Sequence, residues 1–264
     1  MPELPEVETT RRGIAPHIQH HKVTGLRVRQ RRLRWPVPAE LPEILQGLKI
    51  NAVKRRAKYL LLEIAKGTLI LHLGMSGSLR VVAAGAPARK HDHVDFLLDG
   101  GPCLRLRDPR RFGAVLWAEG DPLGHHLLRD LGPEPLGPAL DGAHLRRAAA
   151  ARRVAVKNLI MDSHIVVGVG NIYACESLFS SGINPKTRAS RISRQRLQRL
   201  VDAIKIVLQQ AINHGGTTLQ DFTRAFEAFR NTGEGKAVGN MLELAALHRD
   251  GREIPVELSL ASVR

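Results

Sequence analysis

Apolar residues in this 264-residue chain change their spacing near residues 125–137. A single sheet or a single helical bundle would not accommodate both spacings. From about residue 22 to 117, short runs rich in Val, Leu and Ile predict strands at 23–28, 48–53, 59–64, 68–73, 79–82, 94–98, 103–106 and 114–117. Turn signals such as Lys66-Gly67 and Asp99-Gly100-Gly101 separate them. So many short strands suggest a sandwich or a barrel. Residues 5–19 are the exception, reading as a helix with Pro5 in its first turn. Past Pro133 and Pro138 the spacing turns helical at 145–153 and 156–161. Ser193 is placed to cap a long helix with Leu197, Leu200, Val201, Ile204, Val207, Leu208 and Ala211 on one face, and Gly215-Gly216 ends it. At the C-terminal end, Ile254, Val256, Leu258 and Leu260 alternate, and a turn at 249–252 would join them to 241–247 as a hairpin. The chain therefore reads as an α+β, multidomain protein.

Charge narrows the partners. Forty Lys+Arg stand against twenty-five Asp+Glu, for a formal net charge of +15. Such an excess points to a polyanion, either nucleic acid or an anionic membrane surface. A hydrophobic fraction of 43% excludes wholesale disorder. At 4%, aromatic residues are too few for an extended base-stacking surface. No apolar run approaches the roughly 20 residues of a membrane helix. The opening MPELPEVETTRR carries acids and no secretory signal core. Cys103 and Cys175 are the two cysteines, too few for a disulfide framework or a four-cysteine zinc site in this chain. The expectation is a cytoplasmic protein that contacts nucleic acid rather than lipid.

Five groups of residues carry chemistry. Removal of Met1 would expose the secondary amine of Pro2. An α-amino group titrates near ~7.7–8, so part of it is nucleophilic at neutral pH and forms Schiff bases. Glu3 is beside it to move protons; the plain alternative is an inert terminus. Between Lys22 and Lys58, Lys and Arg residues face only Glu40 and Glu43, which reads equally as a phosphate-contacting surface or a solvated face. Asp108-Pro109-Arg110-Arg111-Phe112-Gly113 sets an apolar wedge among guanidinium groups, and Met75 sits on a glycine-flanked loop; core packing is the alternative for each. Val167-Gly168-Val169-Gly170-Asn171 precedes a helix and would either let backbone N–H groups approach a phosphate or make a tight turn. His91 and His93 would share a strand face, but no third metal ligand is in view.

Taken together these residues resemble the formamidopyrimidine-DNA glycosylase family. The matching stretches are MPELPEVET at 1–9, RRAKYLLLE at 55–63, HLGMSGSLR at 72–80, KHDHVD at 90–95, DPRRFGA at 108–114, LGPEPL at 131–136, VVGVGNIYACESLF at 166–179 and GGTTLQDF at 215–222. The resemblance implies an N-terminal catalytic β-sandwich over residues 1–130 and a helix–two-turns–helix DNA-binding domain over 131–225. By position it makes Pro2 the nucleophile at C1′ of the damaged nucleotide, Glu3 the general acid/base and Lys58 an assistant at the phosphate and in β-elimination. Glu6 would line the same pocket. Met75, Arg110 and Phe112 correspond to residues that fill the gap left by an extruded base. His91, Arg110, Arg152 and Asn171 correspond to DNA-backbone contacts. The partner implied is double-stranded DNA with oxidised bases or abasic sites, met by a monomer.

Residues 226–264 depart from the family, whose members continue into a four-cysteine zinc finger. Here that stretch holds no cysteine and resembles a fragment of a PAS domain, with an RDG turn and a PVELS strand. No cofactor is expected. The sequence thus points first to a bifunctional glycosylase and lyase for oxidised purines such as 8-oxoguanine and formamidopyrimidines. Two alternatives remain: a catalytically impaired protein that binds damaged DNA, and a sensory or dimerising role for the tail.

Overall fold

The computed structural model describes residues 2–150 and 152–215, together with the backbone of two strands, Met241–Leu247 and Glu253–Ser259. Met1, the turn at 249–252, Gly216, Leu260 and most of the PAS-like stretch lie outside the described residues.

The chain opens with helix α1 (Leu4–Ile18), with Pro5 in its first turn where a missing N–H costs nothing. Strand β1 (Val23–Val28) and the short helix α2 (Leu41–Leu45) follow. Then come β2 (Ile50–Arg56), β3 (Tyr59–Ile64), β4 (Gly67–His72), β5 (Ser78–Ala83), β6 (Asp92–Leu98), β7 (Pro102–Arg107) and β8 (Ala114–Glu119). These strands make two antiparallel four-stranded sheets, ordered β1-β6-β7-β5 and β2-β3-β4-β8. Side chains of both sheets meet in one core that includes Val94, Phe96, Leu104 and Leu106 from the first and Leu60, Leu62, Leu69 and Leu71 from the second. The arrangement is a sandwich, with Val7, Ile14 and Ile18 of α1 sealing one side.

Eight strand positions are legible from hydrophobic runs, but β2 continues through Lys54, Arg55 and Arg56, where the apolar pattern stops at 53. Cross-strand pairing with β3 carries it on, as Arg56 pairs with Tyr59.

The second core is helical. It is built by α3 (Gly142–Ala150), α4 (Val156–Met161), α5 (Asn171–Ser180) and α6 (Arg194–Asn213) around Leu145, Leu159, Tyr173, Leu178, Leu197, Leu200 and Ile204. Helix α3 begins three residues before the periodicity does, because Asp141 accepts the His144 N–H at 2.6 Å and caps it. Ser193 caps α6, its hydroxyl accepting from the Arg196 N–H at 3.4 Å. The last two strands, β9 (Met241–Leu247) and β10 (Glu253–Ser259), pair antiparallel from Met241 opposite Ser259 to Leu247 opposite Glu253. They belong to a separate compact unit, residues 217–264.

Helix α1 touches β2 and β5 of the two sheets and also α6 of the helical part. It thereby joins the two cores within the unit formed by residues 1–216. Replacing the fully buried Leu60 by alanine is expected to cost about 2–5 kcal/mol. Urea unfolding followed by circular dichroism measures that loss.

Candidate active site and nucleic-acid interface

Pro2 is half-buried at the amino end of α1, directly before Glu3, which is 2% exposed. The Glu3 carboxylate is held from across the chain. Its Oε2 accepts the Gly170 N–H at 2.6 Å and its Oε1 accepts the Ile172 N–H at 3.0 Å. These are unpaired donors at the start of α5, where the helix dipole favours negative charge. The Leu4 N–H donates to the Gly168 carbonyl at 3.1 Å, a second tie on the same side. The glycine-rich segment is thus fitted to the chain's own first residues. A Cβ on Gly170 would come within 2.5 Å of Glu3 Oε1. Gly168 adopts a φ of +80°, and a Cβ there would come within 2.5 Å of Leu4.

Glu6 completes the terminus. Its Oε2 accepts the Glu3 N–H at 2.8 Å, and its Oε1 accepts from the Tyr173 hydroxyl at 2.6 Å. The backbone on the far side of Pro2's peptide bond is therefore fixed at both its N–H and its side chain. Lys58, in the turn between β2 and β3, lies within electrostatic reach of Glu3 and Glu6. Burial pushes the Lys58 ammonium below its ordinary value, against the pull of the two carboxylates. Burial also raises the Glu3 carboxyl, outweighing Lys58 and the two backbone donors that favour its charged form. An acid and a base whose proton affinities are pulled toward one another are suited to exchanging protons.

A second cluster forms an open groove of ≈ 860 Å³ lined by Arg34, His72, Met75, Arg110, Arg111 and Phe112, among others. Met75 is 40% exposed and Phe112 43% exposed, so neither is a core side chain. The Arg110 guanidinium lies over the Phe112 ring, 5.1 Å from its centroid. Two glycines let the supporting loops touch. A Cβ on Gly74, at φ +64°, would sit 2.5 Å from Gly113 N, and one on Gly113 would sit 2.8 Å from the His72 carbonyl. Asp108 anchors the Phe112 loop by accepting the Gly113 N–H at 2.7 Å. His93 turns inward and donates from Nε2 to the Asp108 carbonyl at 2.8 Å, while the Asp108 N–H donates to the His91 carbonyl at 3.0 Å. His91 thereby abuts the wedge turn. Among the described residues no group of three or more His, Cys, Asp or Glu could hold a metal.

His72 was not singled out by sequence reasoning, and it joins the two clusters. It lines the groove, packs on Tyr59 with ring centroids 4.8 Å apart, and feels the charges of Lys58 and Arg34. Burial first, then those cations, push it down to about 4. The Gly74 N–H donates to His72 Nδ1 at 3.0 Å, so the neutral ring carries its proton on Nε2.

Of the remaining residues, Asn171 is the first of α5, next to the Glu3 anchor. Arg152 is exposed in the helical part and pairs with Asp162 at 2.9 Å. No described contact links Arg152 to the groove. Part of the basic stretch from Lys22 to Lys58 is committed to ion pairs with the protein's own carboxylates. Arg29 pairs with Asp95 at 2.6 Å, Lys54 with Glu63 at 2.7 Å, and Arg55 and Arg56 with Glu134 at 2.8 and 2.9 Å. Arg32 and Arg34 are among its members that line the groove.

The family's four-cysteine zinc site does not fit this chain. Cys103 is buried in β7, Cys175 lies on α5, and there is no third cysteine.

Residues 1–115 match the formamidopyrimidine-DNA glycosylase N-terminal domain, and residues 131–223 match the helix–two-turns–helix domain of the same glycosylase. A formamidopyrimidine-DNA glycosylase of Thioalkalivibrio sulfidiphilus is 61% identical over 224 residues, 85% of this chain and 83% of the relative. One from Methylococcus capsulatus is 60% identical over 222 residues, 84% of this chain and 82% of the relative. Among solved structures, the Lactococcus lactis glycosylase bound non-covalently to DNA containing an AP site superposes with a TM-score of 0.80 at 30% identity, covering 96% of both chains. The Thermus thermophilus protein gives 0.73 at 34% identity, covering 83% of this chain and 79% of that one.

Gly170→Ala is expected to displace the Glu3 carboxylate from α5 and to abolish any chemistry at Pro2 while leaving secondary structure intact, as judged by reaction rate beside far-ultraviolet circular dichroism. His72 gives a pH signature. Its value is lower in the fold than its ordinary 6.5, so the unfolded chain binds more protons between pH 6.5 and about 4. Stability should therefore fall on acidification through that window, and His72→Gln should flatten the fall in urea midpoints measured across it.

Proposed function

Because the chain belongs to the formamidopyrimidine-DNA glycosylase family, we propose that it is a bifunctional DNA glycosylase and abasic-site lyase of base-excision repair, acting on oxidised purines in duplex DNA. The observation that carries the reading is the anchoring of Glu3, beside Pro2, on the N–H groups of Gly170 and Ile172. That contact ties the amine-bearing terminus to α5, and Lys58 lies within electrostatic reach of both Glu3 and Glu6.

In this reading Met1 is removed and the Pro2 nitrogen attacks C1′ of the damaged nucleotide. The bond from C1′ to the base breaks and its electron pair leaves with the base, which takes up the proton that the Pro2 nitrogen gives up on bonding to C1′. The sugar ring opens as O4′ accepts a proton from Glu3. A secondary amine then gives a cationic iminium at C1′ without further proton loss. The iminium acidifies C2′, a proton leaves that carbon with help from Lys58, and the 3′ C–O bond breaks with phosphate as the leaving group. Hydrolysis of the iminium by water returns Pro2.

The damaged base must leave the stack to be reached, at a cost of a few kcal/mol. Met75, Arg110 and Phe112 are assigned to fill the gap, which offsets that cost. His91, Arg110, Arg152 and Asn171 are assigned to the phosphates, where contacts position the duplex without reading its sequence. We further assign residues 1–130 to the catalytic domain, 131–225 to the DNA-binding domain and 226–264 to a PAS-like fragment. The protein is taken to act as a cytoplasmic monomer; among the described residues no helix is long and apolar enough to cross a membrane.

Borohydride reduction in the presence of duplex DNA carrying 8-oxoguanine should trap a covalent adduct whose mass places the link on Pro2. Its yield should fall steeply with added salt, as phosphate contacts demand. A mature chain with a free Pro2 terminus that gives no adduct would count against the reading.

A further inference from the structure

Lys58 stands in a strained turn, and the strain is held by one carboxylate distant in sequence. Arg56 of β2 pairs with Tyr59 of β3, so Ala57 and Lys58 alone reverse the chain. Ala57 is buried and has a φ of +54°, a conformation that L side chains rarely adopt. Both polar groups of its backbone are captured. The Ala57 N–H donates to Glu134 Oε1 at 2.7 Å, and Arg55 Nη1 donates to the Ala57 carbonyl at 2.9 Å. The same Arg55 nitrogen donates to Glu134 Oε2 at 2.8 Å, and Arg56 Nη1 donates to Glu134 Oε1 at 2.9 Å. Arg56 Nη2 reaches the carbonyls of Leu131 at 2.9 Å and Gly132 at 2.6 Å.

Glu134 is itself fixed to the helical part. The Gly132 N–H donates to the Ser163 carbonyl at 2.8 Å, and the Val167 N–H donates to the Pro133 carbonyl at 3.2 Å. Directly after Val167 come Gly168 and Gly170, which hold Leu4 and Glu3. One short frame therefore sets the position of Glu3 from one side and of the Lys58 turn from the other.

We propose that Glu134 is a positioning residue for the lyase reaction: by clamping Ala57 in its left-handed conformation it aims Lys58 at Glu3 and Glu6. The proposal rests on the functional reading above. A lysine displaced by about 1 Å still bears its charge but loses its place in the proton transfers, which costs about 10- to 100-fold in rate.

The test is single-turnover strand cleavage of abasic duplex DNA, with borohydride trapping run beside it, and the cleavage rate and half-saturating DNA concentration measured for the full chain, E134A, A57G and the double variant. E134A should lose about 10- to 100-fold in the saturated rate, with half-saturation moved by less than about threefold. A57G alone should stay within about twofold of the parent, because glycine adopts the turn freely and the clamp is still present. In the E134A background, A57G should recover at least about fivefold, since the backbone no longer resists the conformation. A general structural role for Glu134 would show no such recovery. The proposal is overturned if E134A keeps its saturated rate, if its loss appears only in half-saturation, or if A57G recovers nothing. Should E134A fail to fold, E134Q gives the complementary test: it keeps an acceptor for the Ala57 N–H, so the clamp predicts a saturated rate within about threefold of the parent, and a loss of about 10-fold or more overturns the proposal. An unmodified chain that traps no adduct removes the functional reading and the positioning role together. An active parent with an equally active E134A removes the positioning role alone.

Discussion

The N-terminus of α5 carries partial positive charge and unpaired N–H groups, and in this molecule the anion that satisfies them is a side chain three residues from the start of the chain. Charge-assisted bonds of this kind are about twice as strong as neutral ones. The bond does more than stabilise. It brings residue 3 to residue 170, so that the end of the chain becomes a fixed point of the fold. Helix α1 can then lie against both sheets and α6, and the two cores share one rigid connection.

Electrostatics at the site follow from this geometry. Glu3 is buried by the segment that binds it, so its carboxyl is raised despite two backbone donors and a nearby ammonium. Lys58 is depressed by the same burial. His72, a short distance away by charge, is pushed to about 4 and stays neutral. A neutral ring that lines the groove and feels Lys58 and Arg34 keeps donor capacity there without adding a further positive charge.

The sandwich and the helical part were readable because short Val-, Leu- and Ile-rich runs bounded by turn residues mark buried strands, and apolar residues at every third or fourth position mark the buried face of a helix. The pairing of the candidate residues was less visible. Glycines at 168 and 170 look like a phosphate loop, and only the fold shows that they clear space for Leu4 and Glu3. The basic stretch from 22 to 58 looked nearly free of acids because its partners Glu8, Asp95 and Glu134 lie outside it in sequence. Local counting cannot see ion pairs closed across the fold. His72 and Glu134 had no local signal beyond membership in longer motifs. Their importance is a matter of who their neighbours are.

The tie between the Glu3 N–H and Glu6 leaves the segment before it little room. Any peptide fused upstream would turn the Pro2 nitrogen into an amide and would have to thread out past a half-buried residue. Under the proposed mechanism a purification handle placed at that end would therefore block the reaction. In the proposed chemistry the amino terminus is a functional group in its own right, and recombinant material for testing it is best made with that end left bare.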